Sequence, residues 1–134
     1  MEYKKIKGYE IRPGADLRGL DLGGYNLAMA NLRGANLAGV YLGGVNLAMA
    51  DLRGANLENV DLRSACLHGT NLRGANLENA SLKRASLKGL FTEGADFRRA
   101  NLKGANFENA TGMEELILTG AIIDDGEGNE YELL

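Results

Sequence analysis

Cys66 and His68 are the residues of this 134-residue chain best suited to nucleophilic chemistry. They flank Leu67, so on an extended segment both side chains point to the same side, close enough for a thiolate–imidazole pair. The sequence offers no third group that would orient the histidine, and a flat face offers no pocket. One cysteine and one histidine are also too few ligands for a metal site. We therefore expect no catalytic or metal-binding residue here.

An acidic run near the C-terminus resembles part of a calcium loop. Residues 124–129 read Asp-Asp-Gly-Glu-Gly-Asn. An EF-hand loop that began at Asp125 would need glycine at its sixth position and glutamate at its twelfth. The sixth residue is Glu130, and the sequence ends before the twelfth. Glycine-rich phosphate-binding motifs are also missing. The sequence predicts a protein that is not an enzyme and has no catalytic, cofactor-binding or metal-binding residues.

A five-residue repeat organises most of the chain. Nineteen pentads follow one another from Ala15 to Asn109 without insertion or deletion. A small apolar residue, alanine in twelve pentads, stands two positions before a large apolar centre, and Asn or Asp lies between them in fourteen. Apolar residues at i and i+2 predict a short extended segment with both side chains turned inward. The predicted inward core is Leu17, Leu22, Leu27, Leu32, Leu37, Leu42, Leu47, Leu52, Leu57, Leu62, Leu67, Leu72, Leu77, Leu82, Leu87, Phe97, Leu102 and Phe107.

The repeat is incompatible with an α-helix. Five residues turn a helix by about 500°, so successive leucines would spread around the whole cylinder. Longer repeated segments indicate how the pentads are grouped. Residues 26–36 recur at 46–56 with one change, and residues 53–59 recur unchanged at 73–79. Both offsets are twenty residues, which predicts four pentads per coil. The pair Glu-Asn at 78–79 also recurs thirty residues later, so these repeated segments alone leave other numbers of pentads per coil open.

The run A(N/D)LxG over nineteen consecutive pentads resembles the pentapeptide-repeat family and covers about three-quarters of the chain. The resemblance implies an all-β fold, a right-handed quadrilateral β-helix of about 4.75 regular coils plus terminal caps. At about 4.8 Å per coil the rod would be roughly 23 Å long. We expect an N-terminal cap at residues 1–14, the repeats at 15–109, and a C-terminal cap at 110–134 with a short helical turn and an acidic tail.

The pentad centred on Thr92 departs most from the pattern. Leu90 takes the position that is small elsewhere and Thr92 takes the large one, so the inward volume is roughly kept. Phe91 is expected to point outward. Residues from Thr111 onward carry seven acidic and no basic side chains, whereas the repeats carry eleven basic and nine acidic ones. With one cysteine, no signal sequence and no long apolar run, the sequence predicts a cytoplasmic protein without membrane spans.

Two outward surfaces are candidates for binding. Between Leu22 and Ala50 the only charged residue at neutral pH is Arg33. We call the exposed residues of this region the low-charge surface: Met29, Met49, Tyr41, Ala28, Ala48 and Gly43. The second candidate is a basic ladder, formed by Arg63, Lys83, Arg84, Arg99 and Lys103. Weakly polar surface of this kind is typical of interfaces, although small residues also fit a tight superhelix.

The sequence predicts a non-enzymatic interaction or scaffold module that binds an unidentified protein partner or a second copy as a homodimer. The resemblance implies an alternative, since some members of the family mimic DNA and bind DNA gyrase or topoisomerase IV. Such a mimic needs an acidic flank, whereas the repeats are net basic and only Glu58 and Glu78 form an acidic stripe. Direct nucleic-acid binding is not expected, because the basic ladder lacks interleaved aromatic residues and the pI is about 5.2.

Overall fold

Regular strands are few and confined to the ends of the chain. The computed structural model describes residues 2–115, 118–124 and 129–132. Strands β1 (Lys5–Ile6) and β2 (Tyr9–Glu10) pair antiparallel near the N-terminus. A 3-10 turn spans Met113–Glu115, and strands β3 (Ile122–Asp124) and β4 (Glu130–Glu132) form a second antiparallel pair. Between the two pairs the backbone alternates single bridging residues with two-residue turns.

Parallel bridges join residues that are twenty positions apart. Asp16 bridges Asn36, and Asn36 bridges Asn56. The amide of Leu17 donates to the carbonyl of Asn36 at 2.9 Å, and the amide of Asn36 donates to the carbonyl of Ala15 at 2.8 Å. Four pentads therefore make one coil, and each coil is hydrogen-bonded to the next. We number the sides of the coil by their first central leucine, with Leu17, Leu22, Leu27 and Leu32 on sides 1 to 4.

The last residue of every pentad has a positive φ, which closes the turn between two sides. The amide that follows donates back to the carbonyl of the central residue, as Val40 does to Leu37 at 3.0 Å. Glycine tolerates this backbone without strain, and asparagine does so better than most residues. Five pentads place another residue type there. They are Met29, Met49, Ser64, Arg84 and Arg99.

The Asn or Asp side chains before the central residues stabilise the same turns. Asn36 Oδ1 accepts the amide of Ala38 at 3.2 Å, and Asn76 Oδ1 accepts that of Glu78 at 2.9 Å. A short side chain that accepts the amide two residues later is the geometry for which Asn and Asp are favoured in turns. This local bond explains why those two residue types dominate the position.

The interior is filled by the central residues. The central leucines from Leu17 to Leu87 and Phe97 are at most 1% exposed, Leu102 is buried, and Phe107 is partly buried. Tyr25 is the exception to the inward pattern. It stands where other coils have alanine or valine, and it is 37% exposed.

The irregular pentad keeps its interior filled. Leu90 and Thr92 are both fully buried, and the Thr92 hydroxyl donates to the carbonyl of Thr111 at 2.6 Å. Phe91 is partly exposed, and the Arg73 guanidinium lies over its ring, 4.7 Å from the centroid. The hydroxyl of the buried Thr92 is therefore satisfied, while the aromatic ring is covered by a cation from the preceding coil.

The N-terminal segment forms a tight antiparallel hairpin. Ile6 and Ile11 are buried against the first coil. Lys4 Nζ donates to the carbonyl of Asn26, and Lys7 Nζ donates to that of Asp21 at 2.8 Å. Two lysines therefore tie the hairpin to backbone acceptors of sides 3 and 2.

The C-terminal segment adds one imperfect pentad and then leaves the coil. Ala121 is buried, and Ile122 bridges Asn101, which is twenty-one residues earlier, so the register is shifted by one residue. Strands β3 and β4 then pair antiparallel and do not continue the coil. Asp125 and Glu127 of the expected acidic tail lie outside the described residues. In the described part of the chain, no helix has the length and apolar character needed to cross a membrane.

Candidate interaction surfaces

The low-charge surface extends over two adjacent sides of the first two coils. Tyr41 and Gly43 lie on side 2, and the two methionines lie on side 3 with Ala28 and Ala48. Met29 is 79% exposed and Met49 is 66% exposed. The large apolar side chains that the structure exposes among its described residues all belong to the first forty-nine positions. They are Tyr9, Tyr25, Met29, Tyr41 and Met49.

Both methionines occupy the strained turn position. Their φ angles are 63° and 60°, while later coils place Gly69, Gly89 and Asn109 at the same point of side 3. A left-handed backbone costs a non-glycine residue roughly 1–2 kcal/mol. Local strain of this kind is common where a side chain has a function beyond packing. The two exposed methionines are therefore held at a cost that glycine would avoid.

Tyr41 lies flat on two glycines of side 2. A Cβ atom at Gly43 would come within 2.7 Å of Tyr41 Cε1, and one at Gly23 would come within 2.9 Å of Tyr41 Cδ2. Neither glycine has a positive φ, so the turn does not require them. Later coils place Arg63 at this point of the side. The glycines thus provide the room for the ring, which remains 44% exposed on its outer face.

The basic ladder follows Tyr41 on side 2. Arg63, Lys83 and Lys103 occupy one position in three successive coils, Arg84 stands beside Lys83 at the turn, and Arg99 comes from the corner of side 1. Three of the five cations already have carboxylate partners. Arg63 pairs with Asp61 at 2.6 Å, Lys103 pairs with Glu130 at 2.5 Å, and Arg99 pairs with Glu78.

Lys83 and Arg84 differ from the other three cations. Within the described part of the chain neither forms an ion pair. Both line a shallow groove of about 310 Å³, together with Lys103, Gly104 and Asp124. Lys83 and Arg99 also line an adjoining groove of about 350 Å³ at the corner between sides 1 and 2. As far as the described residues go, the unpaired positive charge of the ladder is therefore concentrated at Lys83 and Arg84 on side 2.

Several carboxyl groups that form ion pairs with lysine or arginine have lowered pKa values. The hydrogen bond from Arg63 is the main cause that lowers the pKa of Asp61, and the hydrogen bond from Lys103 is the main cause that lowers the pKa of Glu130. Arg53 and Arg98 lower the pKa values of Asp51 and Asp96 in the same way, two residues apart on one side of the coil. The arginine partners are about half exposed while the three aspartates are about one-quarter exposed or less, so each pair contributes only modest stability.

The acidic stripe of side 1 is largely neutralised. Glu78 pairs with Arg98 at 3.5 Å and also with Arg99. Glu58 is half-buried, one coil before Glu78. A surface that imitates the phosphates of a duplex would need unpaired carboxylates along the rod. On side 1 the two neighbouring glutamates are instead followed by Arg98 and Arg99, both of which pair with Glu78.

The Cys66–His68 pair gains a neighbour that the sequence had not indicated. Ser86, which bridges Cys66 from the next coil, has its Oγ 2.5 Å from His68 Nε2. Among the described residues no carboxylate bonds to His68, and no group of three or more His, Cys, Asp or Glu side chains could hold a metal ion. The arrangement is a surface hydrogen bond between coils. Only the twenty-residue offset could have revealed it.

The repeat itself identifies the class of protein. Eight copies of the pentapeptide-repeat family model match residues 14–48, 41–79 and 80–111. The chain belongs to the pentapeptide-repeat family, which confirms the resemblance seen in its sequence. No curated protein matches the chain.

Solved structures share the fold. A pentapeptide repeat protein of Nostoc Pcc 7120, alr5209, is 32% identical over 81% of this chain and 84% of its own, with a TM-score of 0.64. HetL, a pentapeptide repeat protein of Nostoc sp. strain PCC 7120 involved in heterocyst differentiation regulation, is 33% identical over 85% of this chain and 64% of its own, with a TM-score of 0.37. QnrB1, a plasmid-mediated fluoroquinolone resistance protein, is 16% identical over 93% of this chain and 73% of its own, with a TM-score of 0.54.

Proposed function

We propose that this chain is a non-enzymatic protein-interaction module and that the low-charge surface makes its contact. The observation that carries the proposal is the exposure of Met29 and Met49 on a backbone that disfavours them. Methionine side chains are flexible and adapt to varied partner surfaces. A charge-poor patch also loses little solvation when it is covered, which is why interface centres are depleted of charged residues. The partner is an unidentified protein or a second copy of the chain.

The repeat architecture supports a role in presenting this surface. Consecutive coils are hydrogen-bonded throughout the repeats, so outward residues keep fixed positions. We propose that the coil is right-handed and quadrilateral, as in the family, and that residues 1–14 and 110–134 serve as caps. The burial of Ile6, Ile11 and Ala121 at the two ends supports the caps. The single cysteine suits a reducing compartment, and we propose a cytoplasmic location.

A charge insertion tests the surface directly. Met29→Lys plus Met49→Lys should abolish self-association, measured by light scattering after size exclusion, or remove the partner captured from the host. The matched control is Asn59→Lys plus Asn79→Lys, which places the same charges at the same left-handed turn position of side 1. Thermal unfolding verifies that both variants fold. If the methionine variant retains both partner and oligomeric state, the low-charge surface is not the contact.

DNA mimicry is the second candidate function, with DNA gyrase or topoisomerase IV as the target. The pairing of Glu78 with Arg98 and Arg99 weakens it, since the stripe then presents little net negative charge. The likeness to QnrB1 at 16% identity concerns the fold alone. We expect excess protein to leave gyrase supercoiling unchanged, with and without a quinolone. Inhibition by the wild type that Glu58→Gln plus Glu78→Gln removes would reverse our preference.

A further inference from the structure

We infer that the groove beside Lys83 and Arg84 binds an acidic peptide segment of a partner protein through its carboxylates. The proposal deepens the proposed interaction function, on which it rests for the kind of partner. It uses side 2 near the C-terminal end, whereas the low-charge surface lies in the first two coils. The two surfaces can therefore be tested separately.

One coil after Lys83, two carboxylates of this chain already bind to groups of side 2. Glu130 Oε1 lies 2.5 Å from Lys103 Nζ, and Asp124 Oδ2 accepts the amide of Gly104 at 2.8 Å. Both acidic residues belong to the β3–β4 pair, which is an acidic stretch of peptide lying against side 2. Lys103 is the main cause that lowers the pKa of Glu130, and Lys83 adds to the effect at longer range. One end of the ladder thus already binds carboxylates presented by peptide.

Lys83 and Arg84 continue this surface by one coil, about 4.8 Å further along the rod. Lys83 precedes Lys103 by twenty residues at the same position of side 2. The next cation in that direction, Arg63, is occupied by Asp61 through a bidentate pair. Among the described residues, the ladder cations without an ion pair are therefore Lys83 and Arg84, which lie between one step filled by Asp61 and another filled by Glu130.

Arg84 is oriented towards the groove by its own backbone. Its φ is 57°, at the turn position where other coils favour glycine. A Cβ atom at Gly104 would lie 3.1 Å from Arg84 Cγ, so the arginine side chain extends along side 2 over that glycine. It forms the wall of the groove with Lys103 and Asp124. A guanidinium held there at a backbone cost, without an ion pair among the described residues, favours a carboxylate ligand.

The flanking acidic groups favour a peptide over a polyphosphate chain. Asp124 lines the groove itself, and Asp61 lies one coil before Lys83. A nucleic acid brings a charge with every nucleotide and would place phosphates beside these carboxylates. An extended peptide offers carboxylates on alternate residues, about 6.5–7 Å apart on one face, and can place neutral residues beside the acidic groups. Peptide carboxylates therefore match the alternation of charge along side 2.

The experiment measures fluorescence anisotropy of a labelled eight-residue peptide of alternating glutamate and glycine added to the full chain at low salt. Parallel arms use a peptide of alternating glutamine and glycine, inorganic phosphate as a competitor, and a labelled single-stranded oligothymidylate. We expect the acidic peptide to bind, and Lys83→Gln plus Arg84→Gln to weaken binding at least tenfold. The control pair, Arg33→Gln plus Arg53→Gln on side 4, removes the same charge and should bind as the wild type does.

Glu130→Gln supplies a gain of binding that misfolding could not produce. It frees Lys103, and the peptide should bind severalfold tighter. Equal binding by the wild type and by the Lys83, Arg84 double variant would overturn the proposal, as would tighter binding of the oligonucleotide than of the peptide. Competition by millimolar phosphate alone would identify a general anion site and overturn it too. Met29→Lys plus Met49→Lys should leave peptide binding intact, so failure here is distinguishable from failure of the low-charge surface.

Discussion

Met49 lies across Gly69, the residue twenty positions later at the same turn of side 3. A Cβ atom at Gly69 would be 2.5 Å from Met49 Sδ. The same relation joins Arg84 to Gly104 and Arg99 to Gly120, where an added Cβ would lie 3.1 Å and 2.9 Å from the respective Cγ atoms. A large residue at the left-handed turn position thus extends over a glycine of the following coil in all three cases. These glycines adopt the left-handed backbone conformation of the turn and leave space for the large side chain of the preceding coil.

Gly69→Ala should lower the free energy of unfolding by more than Gly89→Ala does. Both glycines have a φ of 65°, so both variants incur the left-handed strain of roughly 1–2 kcal/mol. Only Gly69 faces a side chain at 2.5 Å, whereas the nearest atom to a Cβ at Gly89 is the backbone nitrogen of Gly69 at 3.7 Å. Denaturant unfolding measures the difference. Adding Met49→Ala should remove it, and a difference that persists would exclude the contact as its cause.

Gly43→Ala should displace the Tyr41 ring without straining the backbone. The added methyl group would overlap the ring, and the φ of residue 43 is one that alanine adopts freely. We expect a loss of stability on the order of 1–3 kcal/mol, typical of overpacking, together with altered ring resonances of Tyr41 in NMR spectra. Tyr41→Ala in the same chain should restore most of the stability. An unchanged ring environment in Gly43→Ala would show that the tyrosine does not rest on the glycines.

Thr92→Leu should be destabilising although it restores the repeat pattern. Leu90 and Thr92 are both fully buried in this pentad, so a second leucine overfills the interior by roughly 1–3 kcal/mol. It also removes the hydroxyl that donates to the carbonyl of Thr111. Leu90→Ala in combination recreates the usual small–large pair and should recover stability. Thermal unfolding of the two single variants and of the double variant measures this recovery. If the stability losses of the single variants simply add in the double variant, residues 90 and 92 do not compensate each other in volume.

Stability should fall on acidification below about pH 4. The pKa values of Asp51, Asp61 and Asp96 are lowered, chiefly by hydrogen bonds from arginine, and that of Asp16 is lowered to about 2. A carboxyl whose pKa is lower in the folded state stabilises the fold above its unfolded value of about 3.9. That contribution is lost as the pH falls through the folded pKa. Unfolding free energies measured from pH 6 to pH 2 should therefore stay level and then decline.

Two sets of variants test this cause of acid sensitivity. One set removes the aspartates of the pairs and the other removes the arginines. Replacing the three aspartates Asp51, Asp61 and Asp96 by asparagine should flatten the decline between pH 4 and pH 2. Replacing the arginines two residues later by glutamine should flatten it as well, since the carboxyls then lose their main hydrogen-bond donors. A decline of unchanged steepness in both sets would assign the acid sensitivity to other groups.

The family could be predicted from the sequence because the features that define its fold lie within single pentads. Most pentads repeat the same apolar pair and the same Asn or Asp turn bond, and every pentad ends in a residue with a positive φ, as at Ala35 to Gly39. The two ends lack this period, so the sequence could not foresee that Tyr9 and Ile6 pair in a hairpin or that β3 and β4 leave the coil.

The contacts of the candidate surfaces were harder to predict because they join different coils. Tyr41 with Gly23, and His68 with Ser86, lie eighteen residues apart in the sequence. Such pairs depend on the direction of each side chain along the rod, which periodicity does not supply. The sequence named the ladder residues, but it could not show that Arg63, Arg99 and Lys103 have acidic partners while Lys83 and Arg84 have none among the residues that the structure describes.

The twenty-residue hydrogen-bonding interval also limits how the gene can change length. Losing or gaining one pentad between Leu52 and Leu57 would leave the core pattern intact but rotate all later coils by a quarter-turn relative to the earlier ones. Met29 and Met49 would keep their place, while Lys83 and Arg84 would move to another side of the rod. Only indels of four pentads preserve the alignment, so natural length variants that retain these surfaces should differ in multiples of twenty residues.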